Sequence, residues 1–452
     1  MANDTALVQQ MILNNQGGTV LLPARTYVVS GLHVPENTTV TSISRLGTTL
    51  QLARNSSAPI MFIDGSGVTI QHLAFDGDDA NQTPNNHVSW QGRSHAAGIR
   101  IDPGPANTVL SSIRVNNCTF RRTAGSAIAM KRNINGLIID NNAFSFLNGE
   151  AVFLDVQDPR IGSSKVSITN NDVQTVDNVN GANGFLVNQV NGLTFRYNSA
   201  RDVDKNLVKA TNVCNGLISN NSLDGNGFAP GAFAGIQLDT LCTNVEVSSN
   251  LLRNVYAGVA VNGAIGTSAI TISNNTVEDL VAHDDAMGVK IGDATDGSIA
   301  IINNTLTGLK SDGIRIASGA NGVTVTGNRL YRSASTQPGV GIKFDISKTV
   351  ILNSLRITNN CIQGYGGTPP NRGIIFVNNE LCGGSGVVID NNIVRSAVAA
   401  NRRTIHVGPS TTNAVSGVIT NNHYWYEVPD STTPATIQPD ASNVRVDIST
   451  CP

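Results

Sequence analysis

An Asn-Asn pair, or a single Asn in its place, returns at short intervals through most of this 452-residue chain. Measured between the last Asn of successive motifs, the interval runs from 23 residues (Asn198 to Asn221) to 32 residues (Asn328 to Asn360). A recurrence in this range is typical of a solenoid, in which each repeat forms one coil and stacks on its neighbours. The motifs lie at residues 116–117, 141–142, 170–171, 198, 220–221, 250, 274–275, 303–304, 328, 359–360, 391–392 and 421–422.

The residues around each motif predict the kind of coil. An alternating apolar stretch such as 137–140 ends at the Asn pair, a short apolar strand follows, and a Gly-apolar-x-apolar segment such as 288–291 completes the repeat. Strands this short, with a period of two and Gly or Asn between them, indicate a β-helix. Asn tolerates the left-handed backbone of a tight corner, and stacked Asn side chains can hydrogen-bond from coil to coil. The sequence therefore predicts an all-β solenoid of about a dozen or more rungs.

This layout resembles the pectin-lyase-like superfamily of right-handed parallel β-helices, from about Gly17 to about Tyr426. The segment from Gly17 to Tyr27 is similar to the opening strand motif of that superfamily. The resemblance implies a right-handed parallel β-helix and, for the function, a polysaccharide lyase or a glycoside hydrolase. Epimerases, transferases, phage tailspikes and adhesins share this fold, so function has to be argued from the site.

Three segments are expected along the chain. Residues 1–16 form an N-terminal cap, in which residues 3–5 begin a short helix over residues 6–13. Such a helix would close the open end of the solenoid, whose unpaired edge otherwise invites aggregation. Residues 17–429 form the parallel β-helix, and residues 430–452 lose the repeat and form a tail that packs on the solenoid.

The composition and charge of the chain limit the classes of partner that it can bind. The net charge is −2 and the Lys and Arg residues are dispersed, which argues against a nucleic-acid partner. No apolar stretch is long enough for a membrane span, and no signal peptide is visible. We therefore expect a polysaccharide partner and a secreted or extracytoplasmic protein; the oligomeric state cannot be derived from the sequence.

Two of the six cysteines occupy the same place in consecutive repeats. Cys214 and Cys242 each precede the strand that leads to an Asn motif. Because neighbouring strands lie about 4.7–4.9 Å apart, we expect the two residues to stack, either as a disulfide or as two free thiols.

The aligned Gly-apolar-x-apolar segments place their variable "x" residues in one outward-facing file along the solenoid. A second outward position follows two residues later in each strand. The first file reads Arg100, Ala129, Phe153, Leu186, Lys209, Gln237, Ala260, Lys290, Arg315, Lys343, Ile375 and His406. The second reads Asp102, Lys131, Asp155, Asn188, Thr211, Asp239, Asn262, Gly292, Ala317, Asp345, Val377 and Gly408.

Three cations, Lys290, Arg315 and Lys343, follow one another in the first file. Like charges about 5 Å apart repel, so a file that keeps three cations together usually meets an anion. Uronate polysaccharides supply such an anion. Removal of the C5 proton of a uronate needs a base, together with a cation that neutralises the carboxylate as the carbanion develops. Lys is the more readily tuned base, so Lys290 is the first candidate and Lys209 the second.

The remaining residues of a lyase site follow from this scheme. Arg315 and Lys343 would neutralise substrate carboxylates, while Asp239 and Asp345 would orient those cations or hold Ca²⁺, the only cofactor we consider possible. An Asp/Gly turn at residues 76–79 offers further oxygen ligands, although its spacing falls short of an EF-hand loop. Other expected substrate-binding residues are Gln237, Asn262, His283, Lys131, Asp155 and Tyr256.

A glycoside hydrolase would use paired carboxylates instead, with Asp239, Asp284, Asp285 and Asp312 as candidates. The Asp284-Asp285 pair is similar to the Asp-Asp motif of polygalacturonases, but it lies two residues too early relative to the strand glycine. Ala257 stands where that family has another Asp, and Asp312 where it has His. A third alternative is a non-catalytic adhesin or tailspike-type module that only binds glycan.

Overall fold

The computed structural model describes most of the chain in short stretches. The described ranges are 3–82, 97–101, 108–131, 133–155, 163–176, 182–203, 205–225, 234–263, 267–280, 286–292, 297–316, 322–332, 339–345, 352–365, 375–378, 384–396, 403–407, 415–426, 436–439 and 443–446. The chain divides into two compact units, residues 1–232 and 233–452. Each unit is a parallel β-solenoid whose coils contribute strands to three faces, which confirms the predicted fold class. The domain boundaries at residues 16 and 429 stay predictions.

The three faces are named by their place in the repeat. The pre-Asn face holds the strands that lead to an Asn motif, the post-Asn face holds the strands after it, and the glycine face holds the strands of the Gly-apolar-x-apolar segments. Within the described residues, equivalent strands of successive coils pair in parallel, as in Val289↔Ile314 and Val277↔Leu306.

In the first unit, two long strands, Phe185–Arg196 and Val208–Ser219, run from the glycine face into the pre-Asn face without a break. The glycine face also holds Leu32–Val34, Met61–Ile63, Ile99–Ile101, Ile128–Met130 and Val152–Asp155. The pre-Asn face also holds Thr19–Leu22, Thr39–Ser42, Thr69–Gln71, Leu110–Asn116, Ile134–Asp140 and Ser163–Thr169. The post-Asn face holds Thr26–Val29, Thr49–Leu52, Ala74–Asp76, Thr119–Arg121, Ala143–Leu147, Asp172–Val176, Ser199–Val203 and Ser222–Asp224.

The second unit repeats the plan. Its glycine face holds Ile236–Asp239, Ala257–Asn262, Met287–Ile291, Ile314–Ile316, Ile342–Asp345, Ile375–Asn378, Arg403–Val407 and Thr436–Pro439. Its pre-Asn face holds Thr243–Ser248, Ser268–Ser273, Ile299–Ile302, Val323–Thr326, Leu352–Asn353, Arg356–Thr358, Gly384–Asp390, Val415–Thr420 and Asn443–Val446. Its post-Asn face holds Leu251–Arg253, Thr276–Glu278, Thr305–Leu309, Arg329–Arg332, Cys361–Tyr365, Ile393–Ser396 and His423–Tyr426.

From residues 141–142 onward, the last Asn of each motif is buried and forms the predicted ladder inside each unit. At the first motif Cys118 takes this position, and its main-chain N–H donates to Asn142 Oδ1 (2.9 Å). Asn304 shows the pattern: its Oδ1 accepts both the main-chain N–H of Asn275 (2.9 Å) and the Nδ2 of Asn275 (3.0 Å). Its own Nδ2 donates to Oδ1 of Asn328 and to the main-chain oxygen of Ile272, both at 2.9 Å. Each rung thus satisfies the buried polar groups of the rung before it, which an apolar core would leave unpaired. The ladder comprises Asn142, Asn171, Asn198 and Asn221 in the first unit, and Asn250, Asn275, Asn304, Asn328, Asn360, Asn392 and Asn422 in the second.

The residue before each ladder position makes the corner, in the left-handed conformation that was predicted; at the first motif this residue is Asn117 (φ 54°). Asn141 and Asn303 both have φ of 54°. Where the first Asn is missing, Tyr197 (φ 57°), Ser249 (φ 56°) or Gly327 (φ 68°) takes the same conformation. The corner geometry is therefore imposed by the coil, and Asn is the common side chain that tolerates it.

The N-terminal helix spans Thr5–Asn14 and buries Val8 and Ile12 against the first coil. Its start is tied to the post-Asn strand Thr26–Val29, because Asp4 N donates to Val28 O (2.7 Å) and Asp4 Oδ2 accepts from Val28 N (3.2 Å). Gln9 exchanges two hydrogen bonds with the main chain of His33. The helix thus caps the end of the solenoid, as predicted.

The inward residues of the strands form the core. Stacked rings mark the post-Asn face of the first unit, where Phe75, Phe120 and Phe144 lie with centroids 4.7 and 5.1 Å apart. At the other end of the chain, Thr436–Pro439 pairs in parallel with Arg403–Val407, and Asn443–Val446 pairs with Val415–Thr420. The segment for which we expected only a packed tail thus contributes two strands.

Candidate functional site

The outward file on the glycine face is largely the one predicted. In the first unit the paired residues run Arg100, Ala129, Phe153, Leu186 and Lys209. In the second unit they run Gln237, Ala260, Lys290, Arg315 and Lys343.

One rung of the file was predicted wrongly. Lys343 pairs with Phe376, and Asp345 pairs with Asn378, whereas Ile375 and Val377 pair with the inward Ile342 and Phe344. Residues 374–377 are all apolar, so an alternating pattern does not fix which of them faces inward, and a shift of one residue exchanges the faces.

The file in the second unit is sheltered. Gln237, Ala260 and Lys343 are only 7%, 4% and 6% exposed, although they project from the outer side of the sheet. Lys290 and Arg315, which lie between them, are half-exposed. Of the three cations, Lys290 and Arg315 are therefore the more accessible, and Lys343 is buried.

The carboxylate of Asp239 is held by its neighbour in the same strand. Gln237 Nε2 donates to Asp239 Oδ1 at 2.7 Å. Asn262, the residue in register with Asp239, is exposed. Tyr256 is half-exposed, and its main-chain oxygen accepts from Met287 N (2.9 Å), at the start of the strand that carries Lys290.

Asp312 does not join this file. It lies at the corner before the glycine face, is 7% exposed, and its Oδ1 accepts the main-chain N–H of Val340 at 2.8 Å. Gly313 N donates to Val340 O (2.9 Å), so the carboxylate helps to join the corners of the strands that carry Arg315 and Lys343.

Two further ionisable residues accompany Asp312, and the sequence did not single them out. The guanidinium of Arg332 lies 5.5 Å from the ring of Tyr365, and its Nη2 donates to Lys310 O (3.1 Å). Burial lowers the pKa of Arg332, while the charges of Tyr365 and Asp312 oppose that change. Burial also raises the pKa of the fully buried Tyr365 well above its usual value. Only the spacing of Arg332 and Tyr365 at the ends of post-Asn strands could have pointed to them.

The first unit presents a different surface. On its glycine face Asn188 Nδ2 donates to Asp155 Oδ1 (2.7 Å), and Asn212 Nδ2 donates to Asn188 Oδ1 (3.2 Å). Lys131 and Lys209, both half-exposed, lie on the same face. Of the residues predicted for the site, Lys131, Asp155 and Lys209 thus belong to this unit.

Several predicted residues are beyond what the structure describes. His283, Asp284 and Asp285 lie outside the described residues. Asp345 belongs to the strand Ile342–Asp345, but its side chain is not among those described.

In the turn at residues 76–79 that was considered for Ca²⁺, the Asp76 carboxylate binds two arginine side chains. Asp76 is 2% exposed, and its carboxylate forms ion pairs with Arg121 (3.0 Å) and Arg122. The hydrogen bond to Asp76 raises the pKa of Arg122. Within the described ranges, no group of three or more His, Cys, Asp or Glu residues is placed to hold a metal ion.

Cys214 and Cys242 are free thiols, so of the two forms that we expected, the disulfide is absent. The thiol of Cys242 donates to the main-chain oxygen of Asp239 at 3.0 Å and is buried. Cys118 and Cys361 are free as well. Among the helices in the described part of the chain, none has the length and apolar character needed to cross a membrane.

The chain is similar to several solved structures, and the first named here supports the fold. The periplasmic alginate epimerase AlgG, in a double-mutant form, superposes with a TM-score of 0.50 at 8% identity, over 93% of this chain and 88% of that one. A family 28 exopolygalacturonase from Yersinia enterocolitica gives 0.41 at 12% identity, over 96% and 76%. The A-module of the Azotobacter vinelandii mannuronan C-5 epimerase AlgE4 gives 0.39 at 15% identity, over 99% and 96%. At these identities the likeness concerns the fold alone.

Sequence comparison identifies the family. No curated protein sequence matches the chain significantly. The family profile described as "Right handed beta helix region" matches residues 160–283 and 263–425, which together exceed half of the chain. With its parallel coils, its Asn ladder and this match, the protein belongs to the right-handed β-helix family.

Proposed function

We propose that this protein is a polysaccharide lyase that cleaves an acidic, uronate-containing polysaccharide at the cation file of the second unit. The cation file consists of Lys290, Arg315 and Lys343. The observation that carries the proposal is their pairing on three successive parallel strands, Lys290 with Arg315 and Arg315 with Lys343. Solved structures that are similar in fold include proteins named as an alginate epimerase and an exopolygalacturonase, which agrees with a polysaccharide substrate.

The spacing of the file suits a polymer. Neighbouring strands lie about 4.8 Å apart, so the three cations extend over roughly 10 Å. Like charges at this spacing repel one another, and an anionic chain laid across the file lowers that repulsion. Because the file is partly sheltered from water, its attraction for a carboxylate is screened less than on an open surface.

Each residue has a role in the elimination. The neutral amine of Lys290 takes the C5 proton of the uronate, while the guanidinium of Arg315 holds the substrate carboxylate on which negative charge develops. The C5 electron pair forms the C4–C5 double bond, the C4–O bond breaks, and the leaving oxygen takes a proton from water. Lys343, which is buried, adds positive charge behind Arg315.

Other candidate residues assist in this proposal. Asp239, fixed by Gln237, orients the substrate or a neighbouring cation, and the exposed Asn262 beside it donates to hydroxyl groups. Tyr256, His283 and Asp345 are proposed to line the same site, and Lys209 is the alternative base, on the first unit. We also propose that the protein acts outside the cytoplasm, where it would meet this polysaccharide.

The test is a time course on alginate, polygalacturonate, hyaluronan and neutral glucans, with and without Ca²⁺. It follows ultraviolet absorbance from unsaturated uronate together with new reducing ends. A lyase produces both signals on an acidic polymer. Lys290→Ala should lower kcat by about 10²–10⁴-fold, the usual contribution of a general base.

Glu246→Gln serves as the control, because Glu246 is exposed on the pre-Asn face of the same unit and has no role in the proposed site; it should leave kcat unchanged. Reducing ends without absorbance would contradict the lyase and transfer the catalytic role to the carboxylates, with Asp239 first. No signal from any polymer, combined with binding of one of them, would contradict catalysis and favour a glycan-binding module.

A further inference from the structure

The first unit carries a second surface suited to a glycan, which the cation file does not explain. We call it the polar shelf and define it as Asp155, Leu186 and Asn188 on the glycine face, together with Asn212 at the corner that follows that face. Its residues come from three successive strands, Val152–Asp155, Phe185–Arg196 and Val208–Ser219. All four side chains are half-exposed, so the shelf is open to a ligand.

The hydrogen bonds of the shelf fix the direction of each polar group. Asn212 donates to Asn188, and Asn188 donates to Asp155, with each amide using Nδ2. The Asp155 carboxylate receives this chain through Oδ1. Its other oxygen, Oδ2, has no hydrogen bond among the described residues, and so it remains an acceptor for a ligand hydroxyl. Hydrogen bonds to a carboxylate are stronger than those between neutral groups, which makes this a preferred position for a hydroxyl.

Apolar side chains lie directly beside these polar groups. Along the first file, Ala129 and Phe153 are 1% and 4% exposed, and Leu186 is the first apolar residue that is partly open. Leu186 is two residues from Asn188 in the same strand, and both face outward. An apolar patch next to a few fixed polar groups is the usual composition of a small-ligand site.

At this edge of the face, two of the three shelf strands are continuous. In the strands Phe185–Arg196 and Val208–Ser219, the glycine face continues into the pre-Asn face through single left-handed residues, Gln189 (φ 58°) and Asn212 (φ 51°). In these two strands the chain therefore passes from the glycine face to the pre-Asn face without an insertion.

From this arrangement we propose that the polar shelf binds an uncharged sugar ring of a glycan. The hydroxyl groups of the ring bond to Asp155 and Asn188, and its C–H face rests on Leu186. Lys209, paired with Leu186 in the first file, donates to a further oxygen of the ring. The carboxylate of Asp155 meets the ring directly and disfavours a second carboxylate at that point, while Lys131 and Lys209 lie on the same face and supply the nearby positive charge.

The experiment measures binding of four neutral hexasaccharides by calorimetry: cellohexaose, mannohexaose, laminarihexaose and maltohexaose. At least one is expected to bind, with a Kd that changes little between 0.15 and 0.5 M NaCl, because hydroxyl–amide bonds are not screened by salt. Asn188→Ala should weaken that binding about tenfold or more, since it removes the donor and acceptor at the centre of the shelf.

Asn191→Ala is the matched control, because Asn191 lies in the same strand but on the pre-Asn face, where it accepts from Asn215. It should leave the Kd unchanged. If Asn188→Ala does not fold, Asp155→Asn keeps the shape of the shelf and should still weaken binding by removing the charge. The proposal is overturned if no neutral hexasaccharide binds, or if Asn188→Ala and Asp155→Asn bind as the unaltered protein does.

Failure of the shelf can be distinguished from failure of the cation file. Arg315→Gln should impair acidic polymers and leave neutral hexasaccharides bound as before, because Arg315 belongs to the second unit. If Asn188→Ala instead impairs only acidic polymers, then the shelf is part of acidic-substrate recognition and the inference of a neutral site is wrong.

Discussion

The glycine faces of the two units are built on the same backbone plan but carry different chemistry. In the first unit, three of the outward residues, Ala129, Phe153 and Leu186, are apolar and lie beside a chain of amides that ends on Asp155. In the second unit, the cation file occupies the equivalent positions. This difference shows that packing inside a coil fixes the position of each outward side chain, whereas the residue type at that position can change from rung to rung.

Both units contain the Asn ladder, and substitutions in the ladder should have the largest effect on the free energy of unfolding. Asn171→Ala in the first unit and Asn304→Ala in the second each remove a buried Oδ1 that accepts two bonds from the preceding rung. The groups left unpaired cost about 1–3 kcal/mol each, so the free energy of unfolding should fall by roughly 4 kcal/mol in both variants. Urea unfolding followed by circular dichroism measures it.

The matched controls are Asn170→Gly and Asn303→Gly, at exposed corners with φ of 55° and 54°. Glycine adopts this conformation without strain, so these variants should change stability by only a few tenths of a kcal/mol. A loss below about 1 kcal/mol for one ladder variant but not the other would show that the two units do not share the same scaffold.

The buried cluster of Asp312, Arg332 and Tyr365 distinguishes the second unit. Asp312→Ala removes the acceptor of the Val340 N–H and a negative charge near Arg332, so we expect a loss of about 2–3 kcal/mol. Asp312→Asn keeps an acceptor and should lose less. Thermal unfolding measures both, and equal losses would mean that the hydrogen bond to Val340 contributes little.

The cation file should respond to salt, whereas the polar shelf should not. Arg315→Gln is expected to raise KM for an acidic polymer about 10–100-fold at low salt, because it removes the central charge of the file. The difference from the unaltered protein should shrink as NaCl approaches 0.5 M. Asn188→Ala should leave this salt dependence as it is; if it abolishes it, the two faces do not act separately.

The smallest expected effects are losses of stability at alkaline pH. Burial raises the pKa of Cys118, in the first unit, from 9.0 to about 12. A raised pKa gives a stability contribution that is complete below pH 9 and is lost as the pH rises toward 12, because the unfolded thiol ionises first. The loss is about 1.4 kcal/mol per pH unit in that window. Cys118→Ala should flatten the decline between pH 9 and 10, measured by urea unfolding.

Tyr365 should produce the corresponding decline in the second unit, beginning near pH 10 because its pKa is raised above the usual value. Tyr365→Phe should remove this decline without altering the one due to Cys118. A common onset of unfolding at pH 9 in both variants would contradict separate origins.

The register of the file was predictable because two independent anchors, the strand glycine and the Asn motif, recur in nearly every repeat. Lys290, Arg315 and Lys343 were placed together on that basis alone. Ile375 was misplaced because residues 374–377 are uniformly apolar and leave the inward position undetermined. Asp312 was taken for a possible acid because the sequence shows an Asp before a glycine, but not the Val340 N–H that reaches it across 28 residues.

The sequence by itself determined the coil: its period, its left-handed corners, its Asn ladder and which residues face outward, since each of these follows from local spacing and backbone preference. Only the tertiary structure decided how those outward residues are used. It buried Lys343 and left Lys290 half-exposed, occupied Asp76 with two arginines, and oriented Asn188 toward Asp155. Exposure and hydrogen-bond partners depend on segments distant in the chain, and a repeat pattern carries no information about them.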